Sequence, residues 1–224
     1  MKHVRFYNEF LTEKNKSIRK NLYQSKSQEY VPTKREQNII DKDIVIANKY
    51  MRDLRLLMSI EWKVRFLDAK HFIENNFPHT HADIIFLPST FFNYSNKQRV
   101  NTLIHEKIHV YQRLYPIPYH KMLFNIFNLK IYSYLPTHEK FLMVRQNPDN
   151  NLLIYKDGNE YTLPILAQQP KSLHDVSFIP FNSNDKTTKY SKLPANEHPN
   201  ETLAYYLTSV IQDNSVPQNI KMFL

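Results

Sequence analysis

Residues 105–109 read His105-Glu106-Lys107-Ile108-His109, and no other stretch of the chain combines residue types and spacing so suited to chemistry. On an α-helix, two histidines four positions apart stand about 40° apart around the axis, on one face, and can offer ring nitrogens to a single metal ion. Glu106 projects to the neighbouring side of that face, where its carboxylate can reach a water held by the ion. Ten histidines and eleven glutamates in 224 residues predict only about 0.02 copies of His-Glu-x-x-His by chance. Accident is therefore a poor explanation of the motif.

A tetrahedral catalytic zinc takes three protein ligands and keeps its fourth position for water. Tyr115 occupies the place, six residues beyond His109, where a third histidine would complete the longer metzincin pattern. The best remaining ligand is Glu201 in Asn200-Glu201-Thr202-Leu203-Ala204-Tyr205, with Glu197, His198 and His120 as rivals. An acid in the first turn of a helix also suits the helix dipole, which is the plainer reading of Glu201.

Composition narrows the competition. The chain has one glycine, Gly158, where average usage of roughly 7% gives about sixteen. That removes the phosphate-binding loop, the dinucleotide fingerprint and the nucleophile elbow, all of which need clustered glycines. Absence of cysteine removes thiol nucleophiles, disulfide frameworks, iron–sulfur clusters and thiolate zinc fingers. A catalytic metal must then be held by His, Asp or Glu. With 42% hydrophobic and 23% charged residues, the chain matches ordinary globular usage and neither a disordered chain nor a membrane bundle. The net charge of +9 permits attraction to nucleic acid, anionic membranes or acidic partners without specifying one.

The elements that must position these residues follow from periodicity. Residues 1–38, with weak helical spacing, are expected to be a basic lead-in, helical or partly mobile, and the main domain is expected over 39–224. Ile44, Ile46, Tyr50, Met51, Leu54, Leu57 and Met58 recur at threes and fours, as in an amphipathic helix. Strands are expected over 61–67 and 82–87. The motif falls on a helix from about Lys97 to Leu114, stopped by Pro116 and Pro118. Its apolar stripe is Val100, Leu103, Ile104, Ile108, Tyr111 and Leu114, which places His105 and His109 well over 90° from the stripe's centre. A second helix is expected over 119–134, and a hairpin over 152–163 around Lys156-Asp157-Gly158-Asn159, where glycine supplies the positive φ of the turn. A further strand is expected over 176–181. The last helix starts near His198-Pro199 and runs to about Ile211, with Leu203, Ala204, Leu207, Val210 and Ile211 on its apolar side. The class is α+β with a small mixed sheet.

These residues resemble the gluzincin branch of zinc metallopeptidases, in which a His-Glu-x-x-His helix gives two ligands and a later helix gives a glutamate. The resemblance spans roughly Met51 to Ile211 and rests on the first motif and the Asn200-Glu201-x-x-Ala204-Tyr205 segment. It implies a zincin-like fold, His105, His109 and Glu201 as Zn2+ ligands, and Glu106 as general base. The 92-residue separation of His109 from Glu201 implies an insertion around 119–181. Such families place an antiparallel edge strand before the metal helix to pair with substrate, and Ile84, Ile85 and Phe86 fit that role; an ordinary buried strand is the alternative. They also use a Tyr or His donor for the oxyanion, for which Tyr190, Tyr205 and His174 are candidates. Tyr190 is favoured, and Tyr205 is alternatively a support for a histidine.

The expected function is hydrolysis of peptide bonds by a metal-activated water, with a peptide or protein as substrate. The competing reading is a basic, aromatic-rich interaction or structural protein on an inactive zincin scaffold, associated with a particle or nucleic acid. Glu9, Glu13 and Lys14 interrupt any signal-peptide-length apolar stretch, which points to an intracellular protein. The most apolar stretch, 122–135, carries Asn125, Asn128 and Lys130 and is too short to span a bilayer. Heavy use of Asn, Lys and Ile fits an A/T-rich genome, such as that of a large DNA virus.

Overall fold

The two longest helices among the described residues begin where side chains close a capping box. Thr33 Oγ1 accepts from the Glu36 amide at 3.3 Å while the Glu36 carboxylate accepts from the Thr33 amide at 2.8 Å, and helix α1 runs Lys34–Met51. The reciprocal pair satisfies donors that the first turn otherwise leaves open. It carries the helix five residues into the expected lead-in, across the boundary at residue 39.

The computed structural model describes residues 29–69, 77–134, 149, 153–156, 160–166, 168–169, 176–182 and 198–224. They fall into two compact units, one within 25–119 and 203–224 and the other within 120–202. Helices and strands are mixed throughout, as expected of an α+β chain. No helix among the described residues is long and apolar enough to cross a membrane.

In the first unit, α1 buries Ile40, Asp43, Ala47 and Met51 along one side. A single-turn helix α2, Arg55–Met58, completes what the sequence suggests as one continuous helix. Three strands follow: β1 Val64–Leu67, β2 His79–His81 and β3 Ile84–Pro88. Their order is β1-β3-β2. β1 lies parallel to β3, with Val64 opposite Ile85, and β2 antiparallel, with Thr80 opposite Ile85. The β2–β3 turn holds Ala82 at φ 52°, a left-handed conformation that costs a residue with a Cβ about 1 kcal/mol. A short 3-10 helix, Ser89–Asn93, leads to α3, Asn96–Leu114.

α3 is the centre of this unit and a second capping box starts it. Ser95 and Gln98 exchange side-chain to amide hydrogen bonds of 3.3 and 2.9 Å. Elements on several sides then fix the helix. Arg99 Nε donates to Asp43 Oδ2 and Asn96 Nδ2 donates to Asp43 Oδ1, both at 2.6 Å, joining α3 to α1. Lys107, fully buried, donates from Nζ to the Ile60 carbonyl at 2.8 Å and stands 3.9 Å above the Trp62 ring, while burial lowers its pKa to about 8. Arg113 donates to Thr80 through its backbone carbonyl, at 3.2 Å, and through its hydroxyl, binding the end of α3 to β2. The apolar stripe read from the sequence is therefore only one contact surface of α3.

Helix α4, Pro116–Phe127, begins in this unit and continues in the other. Asn128 ends it at φ 54°, with its amide bonded to the Phe124 carbonyl at 3.2 Å. The helix expected through residue 134 therefore stops at Phe127, and Lys130–Tyr134 form β4. β4 pairs antiparallel with β5, Leu153–Lys156, while β6, Glu160–Leu166, pairs antiparallel with β7, Val176–Asn182. The expected hairpin between 152–155 and 160–163 is not formed. Both strands exist, but each takes another partner, β6 over seven residue pairs. Residues 157–159 of the expected turn lie outside the described residues.

The last helices are α5, Pro199–Gln212, and α6, Gln218–Lys221. α5 buries Leu203, Ala204, Leu207 and Ile211 completely. It closes with a paired-amide cap: Asn214 sits at φ 50°, its amide bonding the Ile211 carbonyl at 3.1 Å and the Ser215 amide bonding the Val210 carbonyl at 2.8 Å.

Candidate metal centre

His105 and His109 take their positions from the pitch of α3, and the structure shows that the second lies much deeper than an off-stripe position suggests. His109 is completely buried and His105 partly so, so the two are not an exposed pair on a solvated face. Their Nε2 atoms face each other at 3.1 Å, with ring centroids 4.7 Å apart and planes at 80°. Glu106 is also buried.

Helix α5 runs antiparallel to α3 on this side. Gln212 near its end donates to Asn101 near the start of α3, and Tyr205, two turns earlier, lays its ring 4.5 Å from that of His105. One more turn back stands Glu201. The boundary of the two units falls within α5, after Thr202, so Glu201 rides on the first turn of a helix whose remaining residues, 203–212, belong with α3. Glu201 as a whole is 6% exposed. A donor atom from each of His105, His109 and Glu201 lies within 4.8 Å of the other two, the one such group of three or more among the described residues.

The donor set suits zinc. Bonds of about 2.0–2.2 Å from one tetrahedral centre place ligand atoms about 3.3–3.5 Å apart. The two imidazoles, at 3.1 Å, stand slightly closer than that spacing, and the carboxylate, within 4.8 Å, reaches it by a side-chain adjustment of roughly 1 Å. Two imidazoles and one carboxylate are donor types that zinc accepts while keeping a position open.

The rivals to Glu201 sit elsewhere. His198 caps α5, its Nδ1 accepting from the Asn200 amide at 3.1 Å. His120 is outside the group of three, and burial lowers its pKa to about 4. His79 stacks on Phe86, with ring centroids 5.4 Å apart. His81, held below its ordinary pKa first by burial and then by Arg113 and His79, is likewise outside the group. Glu197, His174 and Tyr190 lie outside the described residues.

The expected open-edge role of Ile84, Ile85 and Phe86 requires correction. β3 is the middle strand, hydrogen-bonded to β1 on one side and β2 on the other. Ala82 and Asp83 turn the chain so that His79–His81 fold back onto β3 and take the antiparallel edge themselves. No strand is expected from the sequence over those three residues.

The motif does not mark Gln112 either. This buried residue places Oε1 2.9 Å from His109 Nδ1. Its position three residues after His109, an expected ligand, on one helix is the signal that could have found it. Two surface cavities in the same unit, of about 350 Å3 beside α1 and β1 and about 620 Å3 beside the end of α1 and of α5, include no residue of the metal group. No protein-family model, curated protein or solved structure matches this chain.

Proposed function

We propose that the protein is a zinc-dependent metallopeptidase with a gluzincin-like ligand set on a zincin-like scaffold. The observation that carries this reading is the convergence of His105, His109 and Glu201; Glu106, next to His105 in the chain, is buried as well. A zinc ion held by the three ligands would supply Lewis acidity, making a water more acidic and polarising the scissile carbonyl.

The chain's own groups do the rest. Glu106 accepts a proton from the attacking water at its carboxylate and delivers it to the departing amine. Tyr205, 55% exposed and packed ring to ring on His105, steadies that imidazole from the solvent side and offers a hydroxyl for the developing oxyanion. Tyr190 is the other donor suggested by the sequence. β2, the antiparallel edge tied to α3 by Arg113 one turn beyond His109, offers backbone groups to an extended peptide.

Glu106→Gln tests the reading. Zinc content should stay at one ion per chain while hydrolysis of a denatured protein substrate falls about 10²–10⁴-fold, the usual worth of a positioned base. Unchanged hydrolysis, or a wild-type chain that takes up no zinc, rejects it. The alternative of a basic binding protein on an inactive scaffold draws on the net charge of +9. It predicts salt-sensitive binding to nucleic acid or acidic protein that Glu106→Gln leaves untouched, and a non-catalytic zinc site has no need of Glu106.

A further inference from the structure

We infer that Gln112 is a positioning residue of this centre: it fixes His109 in the one tautomer able to bind the ion and keeps the site's charge unchanged while doing so. The inference rests on the metal-centre reading above and extends it by a residue that no ligand motif specifies.

The choice of tautomer turns on one hydrogen atom. A neutral imidazole carries its hydrogen on either nitrogen, and only the bare nitrogen can ligate. Gln112 Oε1 faces His109 Nδ1 at 2.9 Å. A carbonyl oxygen can only accept, so the hydrogen sits on Nδ1 and the lone pair at Nε2 points toward His105 Nε2, 3.1 Å away. Both Gln112 and His109 are buried, so water does not compete readily for Nδ1–H, and breaking the bond leaves a buried polar group to be satisfied anew.

Position and chemistry each matter. Gln112 lies three residues after His109 on α3, so the bond is internal to one helix and holds whenever that helix is formed. Reaching back along the helix takes two methylenes and an acceptor; asparagine is one methylene short. An amide is also neutral. Two neutral imidazoles and one carboxylate leave a divalent ion with net charge +1 at the site, which Gln112 preserves and a carboxylate in its place would cancel.

The test compares wild type with Gln112→Leu, Gln112→Asn and Gln112→Glu. In zinc-free protein, imidazole nitrogen NMR should show His109 as the Nδ1–H tautomer in wild type and a loss of that preference in the Leu and Asn variants. Zinc affinity, from competition with a chromogenic chelator, should weaken about 10–100-fold for Leu and Asn, as is usual when a ligand histidine loses its partner. Glu, which keeps the acceptor and the reach, should bind zinc at least as tightly as wild type. A His109 found as Nε2–H in wild type, or four equal zinc affinities, overturns the inference. If Gln112→Leu fails to fold, the Asn and Glu variants decide by the same criterion. Wild type that binds no zinc defeats the metal-centre reading and this inference with it, whereas zinc binding indifferent to residue 112 defeats the inference alone.

Discussion

At His109 the chain spends a fully buried position on an imidazole, a choice that ordinary core packing does not favour. Its Nδ1 is held by Gln112 and its Nε2 faces His105, so both ring nitrogens have assigned work. Tyr205 occupies the opposite situation, more than half exposed and pressed against His105. Ring and hydroxyl can be separated there. Tyr205→Phe keeps the ring, so zinc affinity should be unchanged while kcat for peptide hydrolysis drops about 10²-fold, the scale of losing one oxyanion donor. An unchanged kcat would limit Tyr205 to supporting the imidazole. Residue identity made much of this legible: His105, Glu106 and His109 follow from type and spacing alone, and Glu201 from an acid at the head of a later helix. Gln112 was legible in principle, at i+3 from a ligand. The depth of His109 was not, because it depends on α5 and other elements packing around a helix whose own stripe points elsewhere.

At the scale of elements, a chain with one glycine must end its helices and turn its strands by other means. Asn128 and Asn214 take the left-handed positions after α4 and α5, where asparagine is the next best residue. Ala82 takes the one between β2 and β3, with no side-chain hydrogen bond to offset the crowding at its Cβ. Ala82→Gly should therefore raise stability by about 0.5–1 kcal/mol despite the greater freedom of glycine in the unfolded chain, read as a higher midpoint in urea; a lower midpoint would show that the turn tolerates the alanine. The ends of elements explain several differences between sequence and structure. Thr33-x-x-Glu36 and Ser95-x-x-Gln98 are both capping signatures, and giving the first its full weight would have started α1 at Lys34. Asn128 was one helical residue among many until its φ changed sign, and with it the course of residues 130–134. Strand partners were the least legible feature. The apolar alternation of 153–156 and 160–166 marks strands, but pairing with 130–134 and 176–182 is a choice made across tens of residues.

For the whole molecule, the buried ionisable groups tie stability to pH. Burial lowers the pKa of His120 from 6.5 to about 4, so the folded chain keeps this imidazole neutral where the unfolded chain protonates it. Its contribution is complete above about pH 6.5 and is lost as the pH falls toward 4. Between pH 6.5 and 5 the zinc-free protein should lose about 2 kcal/mol through this group, at 1.4 kcal/mol per pH unit. His120→Gln should lose correspondingly less over the same interval; equal losses in both proteins would place the acid sensitivity in other groups. The net charge of +9 enters this account as a property of the surface and assigns no residue to the chemistry.

The central claim is that one zinc ion is held by two imidazoles and a carboxylate drawn from α3 and α5. X-ray absorption at the zinc edge of the loaded, full-length chain tests it most directly. The account predicts two imidazole nitrogens at about 2.0–2.1 Å with the remaining ligands oxygen, and loss of one oxygen donor or a changed coordination number in Glu201→Gln. A spectrum with one imidazole or none, or one that Glu201→Gln leaves unaltered, would contradict it.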